Sequence, residues 1–474
     1  MTTPERYDDL VLGSGAGGKM IAWALGSEGR RVAVVERRYI GGSCPNIACL
    51  PTKNVVHTAK VVSLLRRHLE FGVETGPIHI SMPGVHARKQ KMVEGLVNLH
   101  LDLYRESADE LILGEGRFTG PLALDVALPD GGMRSLTASR VFINVGTHAT
   151  VPNIPGLLDA KPMTHVEALE LERLPEHLIV LGGGYVGLEF AQAMRRLGSR
   201  VTVIERGAQL ASREDADVSD AIRQLFRDEG IEVLLNTAIV GVEGRSGDAV
   251  RMQLAGSKSA SVIEGTDILV AVGRTPNTYG IGLDRANVAL TDTGHVRVTD
   301  RLETTAANVW ALGECAGSPY FTHVAEDDFR IVHANLNGGN RSRRDRLVPY
   351  CIFTDPPLAR IGLTESQIRE SNTPYRVASL PTATILRTRT TSERRGFLKA
   401  LVDAASDRVL GFSAFGADAA ELMVAVQVAM LAGAPFSLLR DAIFAHPTMA
   451  EGLKPLFAQI ATRAMDVVPV HTNG

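Results

Sequence analysis

Residues 8–36 read DDLVL GSGAGG KMIAWALGS EGR RVAVV E, and this order of segments sets the architecture of the chain. A short apolar run ends at Leu12, a glycine-rich loop follows from Gly13 to Gly18, and a helix-like segment leads to the apolar run that Glu36 closes. Strand, G-x-G-x-x-G loop, helix, strand and acid form the dinucleotide-binding unit of an α/β fold with a parallel sheet. The glycines let the backbone approach a pyrophosphate at a helix N-terminus, and Glu36 would accept hydrogen bonds from a ribose.

The same unit occurs a second time further along the chain. His177 to Leu181 leads into the loop GGGYVG at 182–187, and a later apolar strand ends at Glu205. An interval of 23 residues separates Gly13 from Glu36 and also Gly182 from Glu205. A single loop of this kind can reflect close helix–strand packing alone, but two complete units with one internal spacing predict two dinucleotide sites.

Length and charge exclude several classes of protein. The 474 residues carry a net charge of −3 and are 45% hydrophobic, which suggests about three globular domains. A balanced charge gives no electrostatic reason to expect nucleic acid or an anionic membrane. The N-terminus lacks an apolar signal core, and the longest apolar stretch, Leu422 to Phe436, is short for a bilayer span. We therefore predict a cytoplasmic protein without nucleic-acid or membrane partners.

Four cysteines are too few for a secreted disulfide scaffold, so a disulfide here would be catalytic. Cys44 and Cys49 stand five apart, and five residues of a straight helix rise about 7.5 Å, whereas a disulfide wants its Cα atoms within about 7 Å. The pair can bond only where the backbone is distorted, and distorted disulfides are the more easily reduced ones. Cys315 and Cys351 are predicted to be buried small hydrophobes, and no metal site is predicted.

Glycine- and proline-containing segments along the chain suggest where its domains begin and end. The first unit occupies residues 1–150, a proline-containing linker follows at 151–156, and the second unit ends near GRTPN at 273–277. Another apolar strand runs into Gly313-Glu314-Cys315. After about residue 345 strand-like runs, a long apolar helix and the segment HPTMAE at 446–451 follow.

The chain combines the two nucleotide loops with the motifs C-x4-C, G-R-x-P-N, G-E-C and H-P-T-x-x-E. In this combination it resembles the pyridine nucleotide–disulfide oxidoreductases, in the branch of dihydrolipoamide dehydrogenase, glutathione reductase and mercuric reductase. The resemblance implies an α/β fold with two Rossmann-like domains and an α+β C-terminal domain. Residues 1–150 and 275–345 would bind FAD, residues 151–274 would bind NADH or NADPH, and residues 346–474 would form the interface of a homodimer.

The resemblance also implies roles for individual residues. FAD would be held by Gly13, Gly15, Gly18, Glu36, Lys53, Gly116, Gly146, Glu314 and Ala325. NAD(P)H would be held by Gly182, Gly184, Tyr185, Gly187, Glu205 and Gly273, with Tyr185 covering the nicotinamide pocket. The catalytic set would be Cys44, Cys49, Lys53 paired with Glu189, and His446 with Glu451, the last two acting across the dimer interface.

In this interpretation NAD(P)H reduces the flavin, Cys49 is the sulfur nearer the ring, and Cys44 is the outward thiol that exchanges with a disulfide or dithiol substrate. Exchange needs a thiolate, and the histidine beside a carboxylate would serve as its base. Pro45, Ala48 and Glu314 depart from the usual family residues, so substrate access and one FAD contact are expected to differ.

Several alternatives remain open at this point. Glu205 favours NADH, but Arg206 and Arg213 would suit NADPH. A mercuric reductase-like enzyme acting on a metal ion or small oxidant is a second interpretation, although no cysteine follows Cys351 to form the C-terminal pair of mercuric reductases. A flavin-bound redox sensor and an NAD(P)H oxidase are further interpretations.

Overall fold

The N-terminal part of the chain builds a parallel sheet around the first glycine loop. The computed structural model describes residues 3–107, 109–256, 262–344 and 346–460. The elements up to residue 149 are β1 (Glu5–Arg6), β2 (Asp9–Leu12), α1 (Ala16–Ser27), β3 (Val32–Glu36), α2 (Ser43–Asn46), α3 (Cys49–Arg66), α4 (Met82–Glu106), β4 (Glu110–Leu113), β5 (Glu115–Gly120), β6 (Ala123–Ala127), β7 (Met133–Thr137), β8 (Arg140–Ile143) and β9 (Thr147–Ala149).

The second part of the chain repeats this pattern around the second glycine loop. Its elements are α5 (His165–Leu169), β10 (His177–Leu181), α6 (Tyr185–Leu197), β11 (Arg200–Ile204), α7 (Ala216–Asp228), β12 (Glu232–Leu234), β13 (Ala238–Arg245), β14 (Ala249–Ala255), β15 (Val262–Gly265), β16 (Asp267–Val270) and β17 (Arg274–Pro276). The parallel sheet has the order β12-β11-β10-β16.

The third part returns to the first sheet and then builds an antiparallel one. Its elements are β18 (Val309–Ala311), α8 (Thr322–Leu336), β19 (Tyr350–Ile352), β20 (Leu358–Gly362), α9 (Glu365–Glu370), β21 (Tyr375–Pro381), α10 (Leu386–Thr391), β22 (Phe397–Asp403), β23 (Val409–Phe415), α11 (Ala419–Leu431), α12 (Ser437–Asp441) and α13 (Leu453–Ala458). Strand β18 pairs in parallel with β8, which completes the first sheet in the order β18-β8-β2-β3-β4.

The two parallel sheets form because their central strands are each apolar at all positions but one, namely Asp9 in β2, Glu36 in β3 and His177 in β10. All residues of β2, β3 and β10 are buried, as expected for parallel strands covered by helices on both faces. The short ladder between β9 and β17 joins the two places where the chain leaves and re-enters the first domain. The domain boundaries predicted at 150, 274 and 345 stay predictions, and residues 461–474 of the last predicted domain lie outside the described ranges.

The C-terminal domain is an antiparallel sheet with the order β19-β20-β23-β22-β21, and the apolar helix α11 packs on it. Leu422, Met423 and Val426 of α11 are buried against the sheet, whereas Val428 and Leu431 remain exposed in the single chain. The predicted fold class, α/β with two Rossmann-like domains and an α+β dimerisation domain, is confirmed. Over the described residues, no helix combines the length and apolarity needed to cross a membrane.

Candidate active site

Cys44 and Cys49 lie on two different helices that meet at a sharp break. Cys44 is on the one-turn helix α2, and Cys49 is the first residue of α3. Ala48 between them has φ −132° and ψ −100°, so the backbone distortion that the five-residue spacing requires is located at this residue. Asn46 fixes α2 by donating from Nδ2 to the carbonyls of Ile40 and Gly42, at 2.9 and 2.8 Å.

Cys44 and Cys49 are close enough for each thiol to shift the pKa of the other. A hydrogen bond from Cys44 lowers the pKa of Cys49 to about 6, and the nearby Thr322 hydroxyl and Lys53 charge add to this effect against the opposing effect of burial. The same hydrogen bond, together with burial, raises the pKa of Cys44. Such a pair loses its protons in two steps that belong to both thiols, and the shared hydrogen bond favours Cys49 over Cys44 as the thiolate.

Thr322, the first residue of α8, contacts the Cys49 side of the thiol pair. Its hydroxyl oxygen lies 3.5 Å from the Cys49 sulfur. A hydroxyl at this place favours the thiolate, because it can donate a hydrogen bond to the charged sulfur. The sequence does not point to this residue, since 273 positions separate it from Cys49 and no motif joins them.

Lys53 and Glu189 come together as predicted. Lys53 Nζ donates to Glu189 Oε2 at 2.7 Å, and the Glu189 side chain is only 2% exposed. The other carboxylate oxygen accepts the Phe353 N–H at 2.9 Å, and the Lys53 ammonium lies 4.8 Å from the centre of the Phe353 ring. The pair therefore joins α3, α6 and the start of the C-terminal domain one turn away from Cys49.

The first glycine loop forms the cradle expected for a pyrophosphate. Gly13 has φ +101°, and a Cβ added there would meet the Asn144 carbonyl oxygen at 2.3 Å. A Cβ on Gly18 would lie 2.2 Å from the Gly13 carbonyl oxygen, so both positions require glycine. Helix α1 begins after Gly15, which has no side chain to cap it, and Asn144 Oδ1 accepts the Gly18 N–H at 2.9 Å. The N–H groups of Ala16 and Gly17 have no partner among the described residues, so they can bind an anion. The residues present thus fit FAD.

Glu36 has a different surrounding from the one that the motif predicts. One carboxylate oxygen accepts the backbone N–H and the hydroxyl of Ser14, at 2.9 and 2.8 Å, and the other accepts the N–H groups of Arg38 and Tyr39. These four bonds use about all the acceptor capacity of a carboxylate. Glu36 therefore fixes the loops around the nucleotide site, and its contact with a ribose stays a prediction.

Glu314 lies in a polar cluster with Thr147 and Arg274. Its Oε2 accepts a hydrogen bond from the Thr147 hydroxyl and lies 3.2 Å from the Arg274 guanidinium nitrogen Nε. Arg274 also donates to the Thr147 carbonyl at 3.0 Å. The longer side chain of Glu314, compared with the usual aspartate, is thus held by the arginine of the G-R-x-P-N segment.

The remaining residues predicted to line FAD differ in their surroundings. A Cβ on Gly116 would meet the Leu12 side chain at 2.6 Å, so this glycine serves strand packing. Gly146 has φ +63° and no described heavy atom within 4 Å of an added Cβ. The carbonyl oxygen of Ala325 would lie 3.0 Å from a Cβ on Gly17, which places α8 against the first loop. Their roles toward FAD stay predictions.

The second glycine loop has the same backbone geometry as the first. Gly182 has φ +107°, and a Cβ there would meet the Ala271 carbonyl oxygen at 2.5 Å. A Cβ on Gly187 would lie 2.1 Å from the Gly182 carbonyl oxygen. Helix α6 begins at Tyr185, and Gly184 before it has no side chain to cap the helix, so this loop fits a second pyrophosphate.

Glu205 retains acceptor capacity at the end of β11. Its two oxygens accept the N–H groups of Gly183 and Gly207, each at 2.7 Å. About two acceptor sites remain on the carboxylate, which suits a ribose diol better than a 2′-phosphate. Gly273, with φ +135°, lies in open space near the other edge of this domain.

Tyr185 is the first residue of α6 and packs toward the redox pair. Its ring centre lies 6.3 Å from that of Phe321, the residue before Thr322. Burial raises the pKa of the Tyr185 hydroxyl to about 12, so it stays protonated at neutral pH. An aromatic ring at this junction of the two nucleotide domains is compatible with the predicted gate of a nicotinamide pocket.

His446 and Glu451 form a close pair on the surface of the chain. His446 Nδ1 lies 2.9 Å from Glu451 Oε1, and Glu451 Oε2 accepts the Thr448 N–H at 3.0 Å. This hydrogen bond to His446 lowers the pKa of Glu451. The His446 side chain is 62% exposed, and among the described residues no hydrogen bond or ion pair links it to Cys44 or Cys49 of the same chain.

Cys315 and Cys351 differ from the thiol pair. Cys315 is fully buried, as predicted, and burial raises its pKa to about 12. Cys351 is half-buried, more exposed than predicted, and burial raises its pKa to about 11. Neither is a thiolate at neutral pH.

Comparison with known proteins places the chain in a family. A profile described as "Pyridine nucleotide-disulphide oxidoreductase" matches residues 7–328, and a profile described as its dimerisation domain matches residues 348–457. The chain is 37% identical over 463 residues to the "Probable pyridine nucleotide-disulfide oxidoreductase RclA" of Escherichia coli strain K12, covering 96% of this chain and 99% of RclA. A structure described as the copper(II) complex of HOCl-induced flavoprotein disulfide reductase RclA from Escherichia coli superposes with a TM-score of 0.88, at 36% identity, over 96% of this chain and 100% of that chain.

Two further relatives widen this comparison. A mercuric reductase of Streptomyces lividans is 34% identical over 459 residues, with 96% of each chain covered. A dihydrolipoamide dehydrogenase of Chaetomium thermophilum is 30% identical over 454 residues, covering 94% of this chain and 90% of that protein. The chain belongs to the pyridine nucleotide–disulfide oxidoreductase family. It is an FAD-dependent enzyme with NAD(P)H as electron donor, and its dimerisation domain indicates a homodimer.

Proposed function

We propose that this enzyme passes electrons from NAD(P)H through the Cys44–Cys49 pair to a small-molecule disulfide. The observation that supports this proposal is the placement of two free thiols at the break between α2 and α3, with the Thr322 hydroxyl oxygen 3.5 Å from the Cys49 sulfur and the Lys53–Glu189 pair one turn away. A redox pair needs one sulfur stabilised as a thiolate and another that exchanges with substrate. Bound FAD supplies the transfer of two electrons between the nicotinamide and the sulfurs.

The protein groups around Cys49 prepare it for its role. Thr322 and the charge of Lys53 both favour its thiolate, and Glu189 fixes Lys53 through a buried ion pair. Because Glu189 is held in turn by the Phe353 N–H, the lysine has one defined position. This arrangement directs the positive charge of Lys53 toward the Cys49 sulfur and leaves the Cys44 sulfur to the substrate.

Exchange at Cys44 then proceeds in two balanced steps. The Cys44 thiolate attacks one sulfur of the substrate disulfide, forms a mixed disulfide and releases the first substrate thiolate. The Cys49 thiolate then attacks the Cys44 sulfur, restores the Cys44–Cys49 bond and releases the second thiolate. The base that takes the Cys44 proton and returns it to the leaving thiolate is proposed to be His446 of the partner subunit, oriented by its carboxylate neighbour.

NADH is the proposed donor. Glu205 keeps free acceptor sites at the end of β11, and its negative charge would repel a 2′-phosphate. NADPH stays an alternative because Arg206 and Arg213 follow closely in sequence.

Substitution of Cys44 tests the proposal. Cys44→Ser removes the exchange thiol while leaving Cys49, so NAD(P)H should still reduce the flavin but disulfide turnover should stop. Stopped-flow absorbance of the reductive half-reaction and steady-state turnover separate the two effects, with Cys315→Ser as a matched control at a buried thiol. Full disulfide activity in Cys44→Ser would overturn the assignment.

A second candidate acceptor is a metal ion or a small oxidant. It is favoured by the similarity over nearly the whole chain to RclA, which is described as HOCl-induced and in a copper(II) complex, and to mercuric reductase. Turnover rates with lipoamide, glutathione disulfide, other small disulfides, Hg(II), Cu(II) and hypohalous acids distinguish the candidates. Cys44-dependent turnover of a disulfide supports the first proposal, whereas turnover of only the inorganic acceptors supports the second. Brisk oxygen consumption without any of them would identify an oxidase.

A further inference from the structure

Lys19 and His100 form a contact that the proposed exchange does not use. Lys19 lies one turn into α1, where its N–H bonds the Gly15 carbonyl at 2.9 Å, and His100 lies on α4. Lys19 Nζ is 2.5 Å from His100 Nε2, and His100 Nδ1 is 2.6 Å from the Leu96 carbonyl oxygen. A carbonyl only accepts, so Nδ1 carries the ring proton and Nε2 is the acceptor for the lysine ammonium.

The histidine is a neutral support for the charged lysine. His100 is 8% exposed, and burial lowers its pKa, which keeps the ring uncharged at neutral pH. Its ring also stacks on Trp23, with the centres 6.2 Å apart, so its position is fixed from a second side. His100 of α4, held in turn by Trp23 of α1, therefore fixes the position of the Lys19 ammonium group.

This contact lies beside the turn that precedes Cys44. A Cβ on Gly41 would meet the His100 ring at 3.1 Å, and a Cβ on Gly42 would meet the Gly15 Cα at 2.5 Å. The turn is therefore packed between the His100 ring and the start of α1. Lys19 extends from α1 to His100, which packs against this turn. Its charge acts to lower the pKa of Cys44, against the larger effects of the Cys49 hydrogen bond and of burial, which raise it.

The charge of Lys19 is not compensated by a carboxylate partner. Lys53, Lys60, Lys89 and Lys399 each have an acidic group within ion-pair distance, but no such partner of Lys19 occurs among the described residues. An uncompensated ammonium in a partly buried place favours a neighbouring anion. The other ionisable groups that act on Lys19 and the thiol pair are Cys49 and Lys53 from α3, Glu326 from α8 and Glu314 from the turn before it.

We propose that Lys19, held by His100, is a positioning residue that favours the thiolate form of Cys44 during exchange with substrate. The proposal rests on the proposed function, in which Cys44 is the exchange thiol. Lys19 keeps its own proton throughout, and the Cys44 proton goes to the base or to solvent. The effect opposes the hydrogen bond from Cys49, which favours the protonated form of Cys44.

The rate of Cys44 alkylation as a function of pH tests this role without any substrate. The holoenzyme is reduced anaerobically with NADH or NADPH and treated with iodoacetamide from about pH 6 to about pH 9, and labelling of Cys44 is quantified by mass spectrometry. In Lys19→Met the profile should shift upward by about one pH unit, which is about tenfold slower labelling at neutral pH. Lys19→Arg should restore most of the wild-type rate, and His100→Leu should shift the profile in the direction of Lys19→Met.

Controls separate this role from folding and from the proposed function. Lys91→Met removes an exposed lysine of the same helix as His100 and should leave the profile unchanged. An unshifted profile in Lys19→Met, with FAD content and unfolding temperature equal to wild type, would overturn the inference. If Lys19→Met does not retain FAD, Lys19→Gln and His100→Leu decide by the same criterion. Complete absence of Cys44 labelling in the reduced wild type would instead contradict the exchange role of Cys44.

Discussion

The two glycine loops have nearly the same backbone and different surroundings. Gly13 and Gly182 share a positive φ and the same close approach to a neighbouring strand, so their local geometry is equivalent. The first loop is enclosed: a Cβ on Gly15 would meet Asn144 Oδ1 at 2.6 Å, and Gly42 of the redox turn packs on the Gly15 backbone. The equivalent Gly184 has no described heavy atom within 4 Å of an added Cβ. An enclosed loop suits a cofactor that stays bound, and an open loop suits one that enters and leaves.

Removing the acid at the end of each unit should give the largest contrast. Glu36→Ala leaves four donors in the enclosed unit without their acceptor, and we expect a loss of about 3–5 kcal/mol in the free energy of unfolding. FAD should be lost with it. Denaturant unfolding and the flavin absorbance of purified protein measure both effects. A stable, fully yellow Glu36→Ala protein would contradict the view that the first unit is fixed by this carboxylate.

Alanine at the equivalent glycines should separate the loops next. Gly15→Ala introduces a methyl group against Asn144 Oδ1, and overpacking of this kind costs about 1–3 kcal/mol. Gly184→Ala should leave stability and FAD content unchanged, because its Cβ has open space, and should raise the KM for NAD(P)H where the pyrophosphate approaches. Thermal unfolding, FAD content and steady-state kinetics are the measurements. Equal destabilisation by the two substitutions would remove the distinction between an enclosed and an open loop.

The two glycine-loop units could be predicted from the sequence, whereas the residues that enclose the first loop could not. Glycine spacing and the terminal acids are local signals, so the two units followed from residue types. The Lys53–Glu189 pairing was implied by the resemblance to the family. Asn144, which accepts the Gly18 N–H from 126 positions away, and Thr322 beside Cys49 depend on how distant strands and helices assemble. No periodicity or motif in one sequence encodes such contacts. The four internal donors of Glu36 were likewise not predicted, and its contact with a ribose stays a prediction.

Glu205 should show a smaller and more selective effect than Glu36. Glu205→Ala removes the acceptor for two backbone N–H groups on a partly exposed loop, so we expect stability to fall by about 1 kcal/mol. The KM for NADH should rise about tenfold, and that for NADPH should rise less or fall. Steady-state kinetics with both nucleotides measure this. A greater loss with NADPH would reverse the proposed cofactor preference.

The last expected effect depends on pH and concerns how the second unit is attached to the C-terminal domain. Glu214 follows that unit and is buried, with its Oε2 3.0 Å from Arg360 Nε. Burial raises the pKa of the Glu214 carboxyl group to about 7. The folded state therefore binds the Glu214 proton more tightly than the unfolded state, and this contribution to stability decreases as pH rises from about 4.5 to about 7.

In Glu214→Gln the free energy of unfolding should decrease by about 1–3 kcal/mol less than in the wild type across this pH interval. The difference between wild type and variant in denaturant unfolding at several pH values isolates this group from all others. FAD content depends on the first unit and not on Glu214, so it should show no matching difference between wild type and variant over the same range. A difference that grows toward low pH would give the opposite sign and contradict the raised pKa.

The exposed position of His446 and Glu451 has a genetic consequence if these residues serve the other copy. A Cys44→Ser chain keeps an intact base, and a His446→Gln chain keeps an intact thiol pair. Co-expression of these two defective chains would then assemble hybrid molecules in which one of the two centres is whole. Activity would reappear in the mixture although neither parent has it, and it would fade on dilution as the hybrids dissociate.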